Sequence, residues 1–424
     1  MSTVDVMCFS YILNLNDLLS KKDMKHISAL FTLLALLCFS SCQSNEPSGT
    51  PVQNIVLDLN LDQKLFLSEF ADSIEIVPLE QTDDSNIGDI CRIIFHKDRF
   101  YMMNTISHSI RNILVFDKSG NFIYKLDKRG QGPGEYTSLN DIAIDPLKDE
   151  LVLLTASHGI FRFDLNGNFT NRVKSVFGSD LAIDSVGNIY QTLWCNDNNP
   201  NRLLFLSQSD STYFYRVTKD DYVRLNQYGH SNLFDCYNGN VYYSNSYCDT
   251  IFNVTNAQIT PYLYINYNGK NFPTKEVFKE GYDFYAINAE KNNYKDRFRT
   301  DTYQISDNFL YVSAMEGNGQ DVMALYSFKT GKTLSGHRLI DDVFFPNNTF
   351  VFKGFNTPRA VEDGWLLWFV RPSWLLRGYN TYKKNVSPEK WEAFCKRHPK
   401  MVEVCSQLDE ESNPVLFRIK VKDF

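Results

Sequence analysis

Short runs of alternating apolar and polar residues recur along most of the chain, separated by turns rich in Asn, Asp and Gly. The run ILVFDKSGNFIYKL at 113–126 returns as IFRFDLNGNFTNRV at 160–173, so Asp117 and Asp164 occupy equivalent places. A second phrase, DIAIDPLKDELVLLTAS from residue 141, returns as DLAIDSVGNIYQTLW from residue 180. This pattern predicts β-strands joined by tight turns, with four strands in each repeat.

A repeat of roughly 40 to 50 residues with four short strands is typical of β-propeller blades. The last repeat lacks its fourth strand at the C-terminus, whereas an unassigned strand-like run, DSIEIVPLE at 72–80, precedes the first repeat. We therefore predict an all-β, six-bladed β-propeller over 54–424, in which the N-terminal strand pairs beside 415–420 and closes the last blade. The predicted innermost strands are 90–95, 141–145, 180–184, 231–236, 302–307 and 358–362.

Two segments interrupt the β pattern, residues 272–298 and 387–411. Both are charged and partly helical in pattern, and the second opens with a Ser-Pro pair followed by the acidic Glu389, which is a signal for a helix start. The chain has no room left for a second domain of ordinary size. We expect both segments to be helical insertions that decorate the propeller.

The N-terminal region does not share this pattern. Residues 24–42 combine a basic start, an apolar run and small residues before a cysteine, which is typical of a secretory signal. Because Asp17 and Asp23 fit poorly before such a signal, Met24 is predicted to be the true start, with 1–41 as the signal region. The ending FSSC resembles a bacterial lipobox, which implies that Cys42 is lipidated and that 42–53 is a flexible tether. A plain secreted protein that is cleaved elsewhere is the alternative.

Composition and cysteine spacing narrow the classes of partner. The 24 Tyr and 32 Phe suit half-buried pleated surfaces. The net charge of −7 provides no basic field for phosphate backbones, so no nucleic-acid partner is predicted. No CxxC pair or Cys/His zinc spacing occurs. Export permits disulfides, and the candidate pairs are Cys236 with Cys248 and Cys395 with Cys405.

Several phrases point to a family. GQGPGEYTSLNDIAID, ELVLL and GIFRFDLNGNF resemble the NHL-type propeller repeat. SEFADSIEIVPLEQTDDSNIGDI, RGQGPGEY and the terminal NPVLFRIK resemble the six-bladed β-propeller lipoproteins of Bacteroidetes, over residues 54–424. The resemblance implies a fold and an exported, lipid-anchored location in the cell envelope, at the outer membrane. It does not imply a function, because propellers carry many unrelated activities.

The stretch RGQGPGEY at 129–136 is the first candidate site. A dinucleotide-binding loop needs G-x-G-x-x-G between a strand and a helix. Here a strand follows, so we interpret the stretch as a crossover from the last strand of one blade to the first strand of the next. Crossovers between blades lie on the same face of a propeller as the turns between second and third strands. Side chains on this face either bind a ligand or are only exposed to solvent. The candidate binding face comprises His108, Arg129, Gln131, Glu135, Tyr136, His158, Trp194 and Trp374.

Metal-dependent chemistry is the alternative function, since some six-bladed propellers hold calcium or zinc through side chains at the channel mouth. Asp117 and Asp164, each with an Asn four residues later (Asn121 and Asn168), instead suggest turn chemistry on the opposite face. No recurrent inward carboxylate series and no nucleophile motif such as G-x-S-x-G is visible.

We therefore assign no catalytic residue, no metal ligand and no cofactor. The prediction is a monomeric envelope module that binds a glycan or peptide ligand or an outer-membrane protein, in preference to an enzyme. The alternative is a metal-dependent hydrolase or lyase with its site at the channel mouth.

Overall fold

The computed structural model describes residues 52–59, 64–107, 110–156, 159–193, 201–208, 212–216, 233–244, 248–277, 294–317, 319–346 and 358–424. Within these residues, antiparallel four-stranded sheets follow one another along the chain and form the six blades of a β-propeller. Each blade begins at its innermost strand, and all six predicted innermost strands are found. None of the described helices has the length and apolar character needed to span a membrane.

The strands are numbered in chain order. Three strands and a short helix precede the first blade: β1 (Gln53–Val56), β2 (Leu65–Phe66), α1 (Leu67–Phe70) and β3 (Ala71–Pro78). Blade one contains β4 (Asp89–His96), β5 (Arg99–Ser107), β6 (Ile110–Asp117) and β7 (Phe122–Leu126). Blade two contains β8 (Leu139–Asp145), β9 (Glu150–Thr155), β10 (Gly159–Asp164) and β11 (Phe169–Lys174). Blade three contains β12 (Gly178–Ile183), β13 (Ile189–Leu193), β14 (Asn201–Leu206) and β15 (Thr212–Arg216).

The second half of the chain continues in the same order. Blade four contains β16 (Phe234–Tyr237), β17 (Asn240–Tyr243), β18 (Thr250–Asn253) and β19 (Thr260–Asn266), with a 3-10 turn at Thr255–Ala257 and the helix α2 (Thr274–Val277) after it. Blade five contains β20 (Phe298–Ile305), β21 (Phe309–Glu316), β22 (Asp321–Ser327) and β23 (Thr333–Gly336), followed by β24 (Leu339–Ile340). Blade six contains β25 (Ala360–Glu362), β26 (Trp365–Val370) and β27 (Val415–Val421), with the helices α3 (Pro372–Asn385), α4 (Pro388–Arg397) and α5 (Pro399–Gln407) between the last two strands.

Strands from both ends of the described chain close the ring, as predicted. The sixth blade has the order β25-β26-β27-β3, and β3 pairs antiparallel with β27. The register places Ile76 opposite Phe417 and Val77 opposite Leu416. The N-terminal segment thus completes the last blade and ties the two ends of the propeller together.

The N-terminal segment also contacts two other blades, which the sequence did not indicate. β1 pairs in parallel with β19 and adds a fifth strand to the outer edge of blade four. β2 pairs in parallel with β24, directly after blade five. The strands β1, β2 and β3 therefore lie against three successive parts of the ring.

The core lies between the blades, because both faces of each sheet are covered. In β5, Phe100 and Met102 belong to the apolar cluster shared with blade six, whereas Tyr101 and Met103 belong to the cluster shared with blade two. All four side chains are buried. Successive residues thus serve opposite interfaces, which explains why central strands such as ILVF at 113–116 are continuously apolar.

The repeated D-x-x-G-N turn is organised by its aspartate. Asp117 Oδ1 accepts hydrogen bonds from two backbone amides of the turn, at 2.8 and 2.9 Å, and Oδ2 accepts one from the side chain of Asn121 at 2.8 Å. Gly120 provides the left-handed conformation, with φ of 90°, that the turn requires. Asp164 and Asp184 repeat the arrangement. These geometries agree with the interpretation of the motif as turn chemistry.

The helical excursion of the sixth blade begins earlier than the sequence pattern indicated. α3 starts at Pro372, directly after β26, and helices continue to Gln407, whereas the pattern placed an insertion at 387–411. The Ser387 side chain caps α4 by accepting a hydrogen bond from a backbone amide of its first turn. The helices cover the junction of blades five and six, where they add Leu375, Tyr379, Phe394, Met401 and Val404 to its apolar cluster. In the other insertion, residues 278–293 lie outside the described residues.

Neither candidate disulfide is formed, since all four cysteines are free. Cys236 lies on β16 and Cys248 lies just before β18, so a whole strand separates them within one blade. Strands lie about 4.8 Å apart, and the resulting separation exceeds the roughly 7 Å limit for a disulfide between Cα atoms. In the second pair, the Cys405 thiol is buried 3.7 Å from the sulfur of Met401 and therefore faces the apolar cluster.

Candidate ligand-binding site

The innermost strands of the six blades surround a cavity of about 360 Å³ in the central channel. This volume lies within the range of sites that bind small molecules. Apolar side chains form much of its wall, among them Ile94, Ile144, Ile183 and Phe234. The polar side chains that line it are Arg92, His96, Ser185, Asp235, Cys236, Asn240, Gln304, Arg359 and Glu362.

The cavity reaches the face that carries the turns between first and second strands. His96 lies at the end of its innermost strand, and Pro146, Ser185 and Gly239 lie in the turns that follow theirs. Loops on this face and the crossovers between blades lie at opposite ends of the strands. The cavity is therefore found at the face opposite to the one where the sequence placed the candidate binding surface.

The basic side chains of the cavity are already paired with acids that do not line it. Such pairing fixes the orientation of the basic groups and reduces the positive potential that they project into the cavity. The ion pairs are Arg92 with Asp141 at 3.6 Å and Arg359 with Asp89 at 3.3 Å. The imidazole Nε2 of His96 is hydrogen-bonded to Asp149 Oδ1 at 3.1 Å.

Three carboxylates of the channel link neighbouring blades through the backbone. Each lies on the innermost strand of blade two, four or six and accepts a hydrogen bond from a backbone amide on the innermost strand of the next blade. The innermost strand of a blade has a neighbouring strand on one side only. These bonds therefore provide an acceptor for backbone amides on its open side. The three bonds run from Leu181 N to Asp141 Oδ2 at 2.8 Å, from Ile305 N to Asp235 Oδ2 at 2.6 Å and from Phe95 N to Glu362 Oε1 at 2.9 Å.

The acids of the channel are harder to ionise than usual. Burial raises the pKa of Glu362 to about 8 and that of Asp235 to about 7, although the backbone amides they accept from and the charge of Arg92 oppose the shift. Both side chains are partly exposed to the cavity. The surrounding blades therefore exclude most bulk water from them without burying them completely. Burial also raises the pKa of Asp141 to about 6, again opposed by Arg92. Desolvation thus dominates over favourable contacts in this channel.

Cys236 contributes a neutral thiol to the cavity wall. Its surface is exposed within the channel, while the Sγ atom lies 3.7 Å from the carbonyl oxygen of Ile183 on the neighbouring blade. Burial raises the pKa of this thiol to about 11, and the charge of Asp235 is the second cause of the increase. Because the thiolate is the nucleophilic form, Cys236 serves as a small polar wall residue at neutral pH.

The predicted loop RGQGPGEY forms a self-contained corner between β7 and β8. Arg129 is paired with Asp127 at 2.6 Å, and Glu135 Oε2 accepts a hydrogen bond from the amide of Gly132 at 2.8 Å. Gln131 is exposed. Tyr136 lies in the core between blades one and two rather than on the surface, with 1% of its area exposed. The loop therefore has the inter-blade role expected of a crossover, and its tyrosine is unavailable to a surface ligand.

The other residues of the predicted binding face are only partly described. Trp374 lies in the first turn of α3, half-buried, with the guanidinium of Arg371 5.3 Å from its ring centre. It is separated from the cavity, whose lining does not include it. The remaining predicted residues, Cys42, His108, His158 and Trp194, lie outside the described residues.

Sequence reasoning missed the acids that line the cavity, Asp235 and Glu362, which lie on the innermost strands of blades four and six. Asp141 and Asp180, the first letters of the repeated phrases DIAID and DLAID, are buried and do not line the cavity. Because the two lining acids share no fixed position in the repeat, no recurrent carboxylate series marks them in the sequence.

The inward acids are not arranged as a metal centre. Among the residues that the structure describes, no group of three or more His, Cys, Asp or Glu side chains is placed to hold one ion. The geometry of the described channel is instead that of a mixed apolar and polar cavity.

The ring of six blades and its central cavity define a six-bladed β-propeller without a recognisable catalytic constellation in its described part. The chain belongs to the DUF4934 family, a domain of unknown function, whose model matches residues 51–420. No curated protein matches the chain significantly.

Two solved structures are similar to this chain. A Bacteroides fragilis protein inferred to be exported superimposes with a TM-score of 0.65 at 16% identity, covering 88% of this chain and 99% of its own. A member of the DUF4221 family from Bacteroides vulgatus has a TM-score of 0.48 at 12% identity, covering 84% of this chain and 98% of its own. At 16% identity the likeness to the Bacteroides fragilis protein concerns the fold alone, and it agrees with the six-bladed propeller predicted from the repeats.

Proposed function

We propose that this protein is a cell-envelope binding module that takes up a small ligand in the central cavity of its propeller. The observation that carries this proposal is the cavity of about 360 Å³, whose wall combines apolar side chains with polar ones held in place by neighbouring groups. Concave sites that combine apolar surface with oriented polar groups are typical of small-molecule sites. The ring of blades supports such a site well, because the wall residues lie on strands rather than on loops.

The proposed location follows from the N-terminal sequence. The lipobox-like ending before Cys42 and the polar tether after it favour a lipid-anchored protein at the outer membrane. The fold shared with a Bacteroides fragilis protein that is inferred to be exported supports export. The NHL-type assignment of the repeats stays a prediction.

A cavity-filling variant tests the binding role. Cys236→Trp places a large side chain in the cavity, and Cys236→Ser is the matched control that keeps its volume. We expect ligand-observed NMR with a mixed fragment library to find binders whose signals are lost in Cys236→Trp and kept in Cys236→Ser. Asn240→Trp is a second filling variant at the rim, in case the first does not fold by circular dichroism. Binding that persists in both folded filling variants would contradict the proposal.

A further inference from the structure

The cavity has an apolar side and a mixed side, which belong to different blades. Among the described residues, blades two and three line it with apolar side chains and with one polar side chain, that of Ser185. The other polar lining residues come from blades one, four, five and six, which also supply apolar ones such as Ile94 and Phe234. The apolar side consists of Ala143, Ile144, Pro146, Ala182 and Ile183.

The apolar side continues beyond the mouth of the cavity onto two exposed residues, Leu147 and Val186. Each directly follows a lining residue, Pro146 or Ser185, so its Cα atom lies about 3.8 Å from that of a residue in the wall. Leu147 is 57% exposed and Val186 is 54% exposed, the highest values among the large apolar side chains that the structure describes. Apolar surface exposed beside a cavity is a common feature of ligand-binding grooves.

The same local geometry holds both exposed residues. Asp145 Oδ1 accepts a hydrogen bond from the amide of Leu147 at 3.0 Å, and Asp184 Oδ1 accepts one from the amide of Val186 at 3.1 Å. The two turns are neighbours, because Asp145 Oδ1 lies 3.4 Å from the position that a Cβ atom would take at Gly187. The turns of blades two and three therefore present an apolar residue at equivalent positions, side by side.

This feature is specific to the two blades whose wall is apolar. The corresponding turns of the other four blades, all of them described, contain only polar residues and glycine, at 97–98, 238–239, 306–308 and 363–364. Such residues are the usual choice for exposed turns. An apolar track thus leads from the cavity wall to the exposed pair, and it consists of Ile144, Leu147, Ile183 and Val186.

We propose that the cavity binds a small amphiphile, an aliphatic chain with an uncharged polar end, whose chain lies along the apolar track. This inference rests on the proposed function, since it names the ligand class of the same cavity. The chain is stabilised by removing its own surface and that of the track from water. The polar end contacts the mixed side, where the amides of Asn240 and Gln304 supply both donors and acceptors. Because Arg92 acts electrostatically on both Asp235 and Glu362, the mixed side favours no single sign of charge.

Three probes with the same polar end and different chain lengths test the inference: butane-1,2-diol, hexane-1,2-diol and octane-1,2-diol. Their dissociation constants are measured by NMR titration of the purified protein. We expect the affinity to increase about fourfold for each two added methylene groups, which is less than full burial would give, because a chain on an open track is covered on one side only.

A double variant tests the exposed part of the track. Leu147→Ser with Val186→Ser keeps both backbone amides and therefore both turns. It should bind butane-1,2-diol like the wild type and bind octane-1,2-diol about fourfold more weakly, since only the longer chain reaches the exposed pair. Ile106→Ser is the matched control, because Ile106 is 53% exposed but lies at the end of β5, on the opposite face of the propeller. It should bind all three diols like the wild type.

The results separate this inference from the proposed function. Affinities that do not increase with chain length, absence of octane-1,2-diol binding or an unchanged affinity for it in the double variant overturns the amphiphile inference. If all three diols bind equally and Cys236→Trp abolishes their binding, the cavity remains a ligand site for another class of molecule. If the double variant loses a self-association of the wild type but not its diol binding, the exposed pair belongs to a contact between copies, and the inference is overturned. If octane-1,2-diol stays bound in both folded filling variants, the proposed function is overturned as well.

Discussion

Replacement of Glu362 by Gln should make the protein more stable at high pH and leave it almost unchanged at low pH. Below about pH 4.5 the folded and the unfolded chain both hold the Glu362 proton, so burial carries no ionic penalty. Between pH 4.5 and about 8 the unfolded chain releases this proton while the folded chain retains it, and stability falls as the pH rises. The glutamine side chain of the variant has no proton to release, and its amide oxygen can still accept the bond from Phe95 N.

The size of the effect follows from the shift of the pKa. A change from 4.5 to about 8 corresponds to an upper bound of roughly 5 kcal/mol, at about 1.36 kcal/mol per pH unit. Glu362 keeps contact with water in the cavity, so solvent screening reduces this to roughly 2 to 3 kcal/mol. The other acids of the channel are present in both proteins, and their contributions cancel in the comparison.

Urea denaturation at pH 5 and pH 9 measures the difference in the free energy of unfolding between the two proteins. We expect the gap to be small at pH 5 and to favour the Glu362→Gln variant by roughly 2 to 3 kcal/mol at pH 9. Glu410→Gln, an exposed substitution after the last helix, is the control and should follow the wild type. Parallel curves for wild type and Glu362→Gln from pH 5 to pH 9 would refute the reasoning.

Two further predictions concern the closure of the ring and the N-terminus. Asn413 is buried, donates to the carbonyl oxygens of Glu80 and Ser85 at 2.9 and 2.8 Å and accepts from the amide of Ile87 at 3.0 Å. Asn413→Ala removes the partner of the Ser85 carbonyl and of the Ile87 amide, whereas the Glu80 carbonyl keeps a hydrogen bond from the Ser85 hydroxyl at 2.8 Å. The variant should lower the free energy of unfolding by about 3 kcal/mol, measured by urea denaturation. A loss under about 1 kcal/mol contradicts this. Cys42→Ser should release the protein from membranes into the soluble fraction on cell fractionation, and a variant that still sediments with membranes argues against the lipid anchor.

The blade count and the closure of the ring could be predicted from the sequence because their signals are local and repeated. Strand alternation and the D-x-x-G-N turn occur within about ten residues, and the turn is organised by its own aspartate. The closing strand could be predicted because an unassigned strand-like run precedes blade one and the fourth strand of blade six is missing at the C-terminus. The additional pairing of β1 with blade four left no such signal, because a short parallel edge strand depends on where the distant partner strand lies.

The position of the candidate site could not be predicted from the sequence. Local motifs directed attention to the Gly-rich crossover, where Tyr136 proves to be a core residue. The cavity is instead assembled by innermost strands of all six blades, and its contacts join residues as distant in sequence as Phe95 and Glu362. The sequence by itself determined the repeat, the turns and the closed ring, through periodicity and short-range hydrogen bonding. Only the tertiary structure decided which acids face the channel, because that depends on the depth and register of each strand against its neighbouring blades.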